Sequence, residues 1–188
     1  MPPRAGDTHI PVLETPRLRL RSHTAADYPA SCALWAHPEV IRYTLGKPAT
    51  PEEVWSRLLR YLGSWAFLGY GYWVVEERAT RTFVGEVGLC NLQRDLTPPL
   101  GDLPEIGWVL SPTHQGKGYA TEAAQAALNF AVAAPVSASR IACIVHADNA
   151  PSLRVAQKLG FVPSHTTTYR DAPTQVLFAE TKLSEHHP

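Results

Sequence analysis

The chain has 188 residues, of which 45% are hydrophobic and 18% charged, which suits one folded domain with a buried core and excludes a disordered chain. Seventeen basic residues balance seventeen acidic ones, so no overall field draws the protein to nucleic acid or to an anionic membrane. No apolar run approaches the roughly 18 residues of a membrane span, and residues 1–7 lack the apolar stretch of a signal peptide.

Residues 1–9 read as a flexible tail and 184–188 as another, leaving 10–183 as a single domain. Leu18-Arg19-Leu20-Arg21 alternates as a first strand. Residues 25–36 have a helical pattern, with Pro29 required to sit in the first turn. The next helix is better marked. Thr50 and Glu53 form a capping-box pair, Pro51 takes the first helical position, and Val54, Leu58, Tyr61, Leu62 and Trp65 recur on one face. Gly69 and Gly71 end it.

Residues 72–76 and 82–90 read as strands that turn near Arg78-Ala79-Thr80-Arg81. Residues 93–103, with Pro98 and Pro99, form a loop suited to bordering a cleft. A strand at 106–110 leads to a helix at 121–132, on which Ala120, Ala123, Ala124, Ala127 and Ala131 make a small-residue stripe for close packing. Residues 140–146 read as a buried strand. Residues 162–169 and 174–182 close the chain as an antiparallel pair, with Asp171-Ala172-Pro173 at the turn. The pattern is one mixed α/β domain. Cys32, Cys90 and Cys143, odd in number and set among apolar residues, read as reduced thiols of a cytoplasmic protein. No Cys/His spacing suggests a metal.

The turn Gln115-Gly116-Lys117-Gly118-Tyr119-Ala120 carries the chemistry. Two glycines between a strand and a helix let a ligand approach the backbone, and the new helix offers unpaired N–H groups to an anion, most naturally a phosphate. A dinucleotide fingerprint would need Gly or Ala at position 121, where Thr stands. A P-loop would need Gly at 111 and Ser or Thr at 118, where Ser and Gly stand.

What remains resembles the Gln/Arg-x-x-Gly-x-Gly/Ala signature of the GCN5-related N-acetyltransferases (GNAT). Downstream, Asn149-Ala150-Pro151-Ser152 and Lys158-Leu159-Gly160-Phe161 resemble that family's Asn-x-x-Ser…Lys-Leu-Gly-Phe element. Glu14-Thr15-Pro16-Arg17-Leu18-Arg19-Leu20-Arg21 resembles the opening strand of its ribosomal-protein alanine N-acetyltransferase branch. The resemblance implies a single-domain, mixed, mostly antiparallel sheet flanked by helices, with splayed central strands. It implies acetyl-CoA as co-substrate, with its pyrophosphate on the main-chain N–H groups from Gly116 through Ala120 and with Gln115 and Lys117 alongside. Lys117 can equally be a solvated lysine. Trp108, Val109 and Leu110 would offer a free strand edge to the pantetheine amides. Asn149 would bond the pantetheine arm or, as a plain alternative, cap the next helix.

The resemblance implies transfer of an acetyl group to a primary amine. An ammonium has no lone pair, so direct attack needs a proton acceptor, donors near the thioester oxygen and a proton source for the departing thiolate. Glu105, at the start of the strand before the turn, is the first candidate base; Glu86, on the preceding strand, is the second and His146 the third. Each can equally be a rim or core polar group. Many family members carry a tyrosine four residues before the glycine of Leu-Gly-Phe as general acid; Ala156 stands there. Ser152 is the substitute candidate, with helix capping or water as the alternatives, and Tyr119 is a remoter one.

The aromatic residues between Leu34 and Trp73 are expected mostly in the core, with a few walling an acceptor pocket where an aromatic face and a carboxylate attract a cation. That allows a protein N-terminus, a polyamine, an aminoglycoside-like compound or an amino-acid amine. The expected partners are therefore an amine acceptor and, in assembly, a monomer or homodimer, with no nucleic acid or membrane. A catalytically silent acyl-CoA-binding module is the alternative function.

Overall fold

The computed structural model describes residues 9–133, 136 and 138–181. The tails expected at 1–9 and 184–188 lie outside them, save His9, as does Lys182 at the end of the last expected strand. In chain order the elements are strands β1 (Leu13–Glu14) and β2 (Leu18–Arg21), helices α1 (Tyr28–Ala36), α2 (Pro38–Ile41) and α3 (Pro51–Leu68), and strands β3 (Tyr72–Glu77), β4 (Phe83–Cys90) and β5 (Glu105–Leu110). Helix α4 (Tyr119–Ala133), strand β6 (Arg140–His146), helix α5 (Ala150–Lys158) and strands β7 (Val162–Tyr169) and β8 (Ala172–Glu180) complete the fold.

The eight strands form one sheet in the order β1-β2-β3-β4-β5-β6-β8-β7. Every neighbouring pair is antiparallel except β5 and β6. Those two run parallel and share a single register pair, Glu105 with Ala142. Beyond that point they part. The mixed, mostly antiparallel sheet with splayed centre is therefore present as expected.

Local chemistry sets the helix ends. At α3 the Thr50 hydroxyl accepts from the Glu53 N–H at 3.2 Å while the Glu53 carboxylate accepts from the Thr50 N–H at 2.7 Å. Gly69 closes the helix in the left-handed region at φ 77°. Val54, Leu58, Tyr61 and Trp65 are buried, but Leu62 is 37% exposed, because it lies about 100° around the helix from Tyr61. The helix expected from Ala25 starts instead at Tyr28, after a 3₁₀ turn over Ala25–Asp27. The Asp27 carboxylate accepts from both the N–H and the hydroxyl of Thr24, and Pro29 has no N–H to extend a helix backwards.

The α4 stripe packs as expected. Ala123, Ala124, Ala127 and Ala131 are buried against a core that includes Leu20, Trp73, Val75, Val87, Leu89 and Ile106. Smaller clusters join α1, α2 and α3 through Leu34, Trp35, Val40 and Val54. The final hairpin turns one step earlier than expected. Arg170 and Asp171 have φ of 51° and 60°, the two left-handed residues of a tight hairpin turn, and Ala172 already pairs with Tyr169.

Candidate active site

The glycine turn lies where β5 passes into α4. A 3₁₀ turn at Pro112–His114 is followed by Gly116 and Gly118 at φ 75° and 80°. Nothing lies within 4 Å of where a Cβ would sit on Gly116, so conformation rather than crowding demands glycine there. The first α4 hydrogen bond runs from the Glu122 N–H to the Gly118 carbonyl at 3.1 Å. The N–H groups of Gly116, Lys117, Gly118, Tyr119 and Ala120 find no acceptor among the described residues, and residues 115–118 are exposed. They form a cradle of donors at the positive end of a fifteen-residue helix. Gln115 braces it from behind, its amide donating to the Leu110 carbonyl at 3.1 Å.

Arg17, which the motif reading does not single out, locks the turn. Its guanidinium donates to the Lys117 carbonyl at 2.8 Å and to Glu122 at 2.7 Å, and stands 4.8 Å over the Tyr119 ring. Although burial works the other way, bonds from Thr15 and Arg17 hold the Glu122 carboxyl below its usual range. The Tyr119 hydroxyl donates to Glu77 on β3 at 2.9 Å, so Tyr119 serves this scaffold and does not line the cleft between the strands.

That cleft, about 430 Å³, opens where β5 and β6 part. On the β5 side Trp108 and Val109 line it, while Leu110 is buried behind the turn. Residues 106–110 pair with β4 alone, so the other edge of β5 lacks a ladder partner. The Trp108 indole N–H reaches across the gap to the Ser152 hydroxyl at 3.4 Å. Asn149 borders the gap, but its side-chain oxygen caps α5 by accepting from the Ser152 N–H at 3.2 Å. Its amide nitrogen is left without a partner among the described residues. Ala156, at the position where a tyrosine would serve, is fully buried.

The candidate bases fall in three different settings. Glu105 lines the cleft at its root and is 4% exposed. Both its oxygens accept from Arg94, at 2.6 and 2.8 Å, and Arg94 also donates to the Tyr169 hydroxyl at 2.8 Å. Burial alone would lower the Arg94 pKa, but the adjoining carboxylate raises it above its usual value. Glu86 is wholly buried and does not reach the cleft. It accepts from Ser31 at 2.7 Å, Trp35 at 2.9 Å and Tyr61 at 3.2 Å. Glu86 therefore anchors two cleft walls, Trp35 and Tyr61, from behind. His146 lines the cleft, but its Nδ1 accepts from the Asp148 N–H at 3.1 Å. That tautomer leaves the proton on Nε2, a donor rather than a base.

The acceptor side departs from expectation in charge. Trp35, Tyr43, Tyr61, Tyr72 and Trp108 wall the cleft, while Trp65, Tyr70 and Trp73 belong to the core. Burial raises the Tyr61 and Tyr72 hydroxyl pKa values far above the ordinary range, so both remain neutral donors. The one carboxylate among the described lining residues, Glu105, is bound to Arg94, and four further arginines (Arg42, Arg57, Arg60 and Arg170) line the same space. An aromatic face with a free carboxylate, the arrangement that would draw a cation, is not what the cleft presents. Arg57 and Arg60 were legible as neighbours on one helix face from their spacing. Arg94 sits in the loop expected to border a cleft, but nothing local shows that it turns inward.

Residues 17–162 match the family model for the acetyltransferase (GNAT) domain. The chain is 30% identical over 153 residues to the uncharacterised N-acetyltransferase YoaA of Bacillus subtilis, a match covering 81% of this chain and 83% of that one. The solved acetyltransferase from Agrobacterium tumefaciens superposes with a TM-score of 0.78 at 28% identity, covering 92% of this chain and 95% of that one. Spermidine N-acetyltransferase from Vibrio cholerae, solved with CoA and spermine, has a TM-score of 0.69 at 19% identity over 89% of this chain and 97% of its own. That last likeness is one of fold.

Proposed function

The chain belongs to the GNAT acetyltransferase family and is an N-acetyltransferase, and from that premise we propose how its own residues carry the transfer from acetyl-CoA to a primary amine. The observation that carries the reading is the gap between β5 and β6, with a donor cradle at one end and Glu105 at its root. The free N–H groups at 116–120 fit a diphosphate in number and polarity, and the unpaired β5 edge at 106–110 fits the amides of a pantetheine arm. Bound there, acetyl-CoA supplies the thioester that the amine attacks.

Glu105 accepts the proton of the incoming ammonium, directly or through a water. To do so it releases one of the two bonds from Arg94, whose remaining bond to Glu105 and bond to Tyr169 keep the carboxylate in place. His146, with Nε2 protonated, is suited to donate toward the thioester oxygen as charge develops. Ser152, weakly bonded by the Trp108 indole, faces the same gap. Its hydroxyl relays to the departing sulfur the proton that the ammonium nitrogen of the tetrahedral adduct gives up as the amide forms. Asn149 donates its free amide nitrogen to the pantetheine arm. Glu86 acts only by fixing Trp35 and Tyr61.

The test is release of free thiol from acetyl-CoA on addition of a panel of amines. Amine-dependent release is expected, together with CoA binding that Gly118→Glu abolishes. Saturable binding of acetyl-CoA with no release on any amine would overturn the transfer scheme and leave an acyl-CoA-binding module in its place.

A further inference from the structure

We infer that the acceptor is an anionic amine: a primary amine with one or more carboxylates close by, bound through Arg42, Arg57, Arg60 and Arg170. This names the substrate class of the site proposed above and rests on that reading. The four arginines come from three separate parts of the chain. Arg42 follows α2, Arg57 and Arg60 stand one turn apart on α3, and Arg170 forms the tip of the β7–β8 hairpin. All four line the cleft. None lies within 4 Å of a carboxylate oxygen among the described residues, whereas Arg17, Arg19, Arg21, Arg78, Arg81 and Arg94 all do.

Arg57 supplies a second and independent sign. Its guanidinium stacks 3.7 Å over the Trp35 ring, and its Nε is buried with no hydrogen-bond partner. A buried donor left open beside a cleft is destabilising unless a partner meets it. Trp35 in turn is fixed by Glu86 at 2.9 Å, so the arginine rests on a rigid platform. A planar, pre-oriented fork of this kind matches a carboxylate with two parallel bonds.

A neighbouring hollow of about 290 Å³ shares Leu45, Arg57, Arg60 and Arg170 with the cleft and adds Lys47. Its two carboxylates, Glu52 and Glu53, offset only part of the charge of Lys47, Arg57, Arg60 and Arg170, and Glu53 is also tied to capping α3. The positive lining thus extends outward from the cleft. A polyamine or other polycation would meet repulsion along this path, and an acidic acceptor would be drawn in.

The test uses the intact protein with acetyl-CoA and four acceptors. Glutamate and a short peptide with an acidic N-terminal segment are the anionic arms, one for each source of this chemistry. Spermidine and the same peptide with lysines for its acidic residues are the controls. Thiol release is expected to favour an anionic arm by about 100-fold in kcat/KM, with the preference shrinking as salt rises. Arg57→Gln and Arg60→Gln are each expected to raise the KM of that acceptor about tenfold or more and to leave the KM of acetyl-CoA unchanged, with partial recovery in Arg57→Lys. Preference for a cationic acceptor, or an unmoved acceptor KM in both variants, would overturn the inference. If acetyl-CoA binds but no amine is acetylated, the transfer scheme fails. Calorimetry of the acidic peptide with CoA-loaded protein then decides the inference separately: binding lost in Arg57→Gln sustains it, and no binding overturns it.

Discussion

Arg94 meets Glu105 edge to edge, Nε on Oε2 at 2.6 Å and Nη2 on Oε1 at 2.8 Å, at the residue where β5 last pairs with β6. Glu105→Gln keeps the size of the side chain and one of the two bonds from Arg94, through its remaining oxygen, and removes the proton acceptor. The expected outcome is a fall in kcat of about 10²–10⁴-fold with the KM of acetyl-CoA within about twofold, measured by steady-state thiol release. A kcat within twofold of the parent would remove Glu105 as base.

The glycine turn allows a two-stage test. Gly118 sits at φ 80°, and a Cβ there would lie 3.4 Å from an Arg17 nitrogen. Gly118→Ala should cost about 1 kcal/mol of stability through the left-handed backbone alone. Gly118→Glu adds a carboxylate where a diphosphate is proposed to bind. CoA affinity, read by calorimetry, should fall modestly in the first variant and by about 100-fold or more in the second. Equal affinity in the two would mean that the turn does not hold the phosphates.

Much of this arrangement could be read from local pattern. The Thr50–Glu53 box, the glycine pair and the alanine stripe act over a few residues, so their sequence spacing carries their geometry. The network at the cleft root could not be read this way, because Arg94, Glu105 and Tyr169 are brought together from a loop and two strands. The same limit explains Glu86. Its position on a strand before the turn resembles a catalytic one, yet its surroundings come from α1 and α3, which close over it. At the last hairpin Pro173 marks a turn in the local pattern, yet the turn is made by Arg170 and Asp171 in the left-handed region, and the pairing of Tyr169 with Ala172 sets the register.

Glu86→Ala is expected to destabilise the fold by about 3 kcal/mol or more, measured by urea unfolding, because it strands buried donors of Ser31, Trp35 and Tyr61. Trp35 and Tyr61 would also lose their fixed positions, so the acceptor KM should rise more than the KM of acetyl-CoA. A variant as stable as the parent would show that these bonds contribute little net free energy.

His23 gives the fold an acid sensitivity of its own. Burial lowers its pKa below the ordinary 6.5, against the opposing pull of Glu86 and Asp27 and with Arg21 adding to the decrease. The folded state then binds fewer protons than the unfolded chain below pH 6.5, so stability is full above that pH and declines as pH falls through the folded value. Carboxylates held low, such as Asp27 and Glu122, contribute their loss progressively below about pH 5. His23→Phe, which keeps a ring beside Tyr61 (5.1 Å in the parent), should flatten the dependence of unfolding free energy on pH between about 6.5 and 5. An unchanged slope there would assign the sensitivity elsewhere.

Ser152 tests how the thiolate leaves. Its hydroxyl lies in the gap, bonded weakly to Trp108 at 3.4 Å, while its N–H is already committed to the Asn149 cap. Ser152→Ala keeps that main-chain bond, so the cap and the stability of α5 should survive. If the hydroxyl protonates the departing sulfur, kcat should fall about tenfold to a hundredfold. An acetyl thioester of a more acidic thiol, which needs less help to leave, should then recover most of the loss. If water supplies the proton, kcat stays near the parent value for both donors. The ratio of the two losses therefore separates a role in leaving-group protonation from simple damage to the cleft wall, which would slow both thioesters alike.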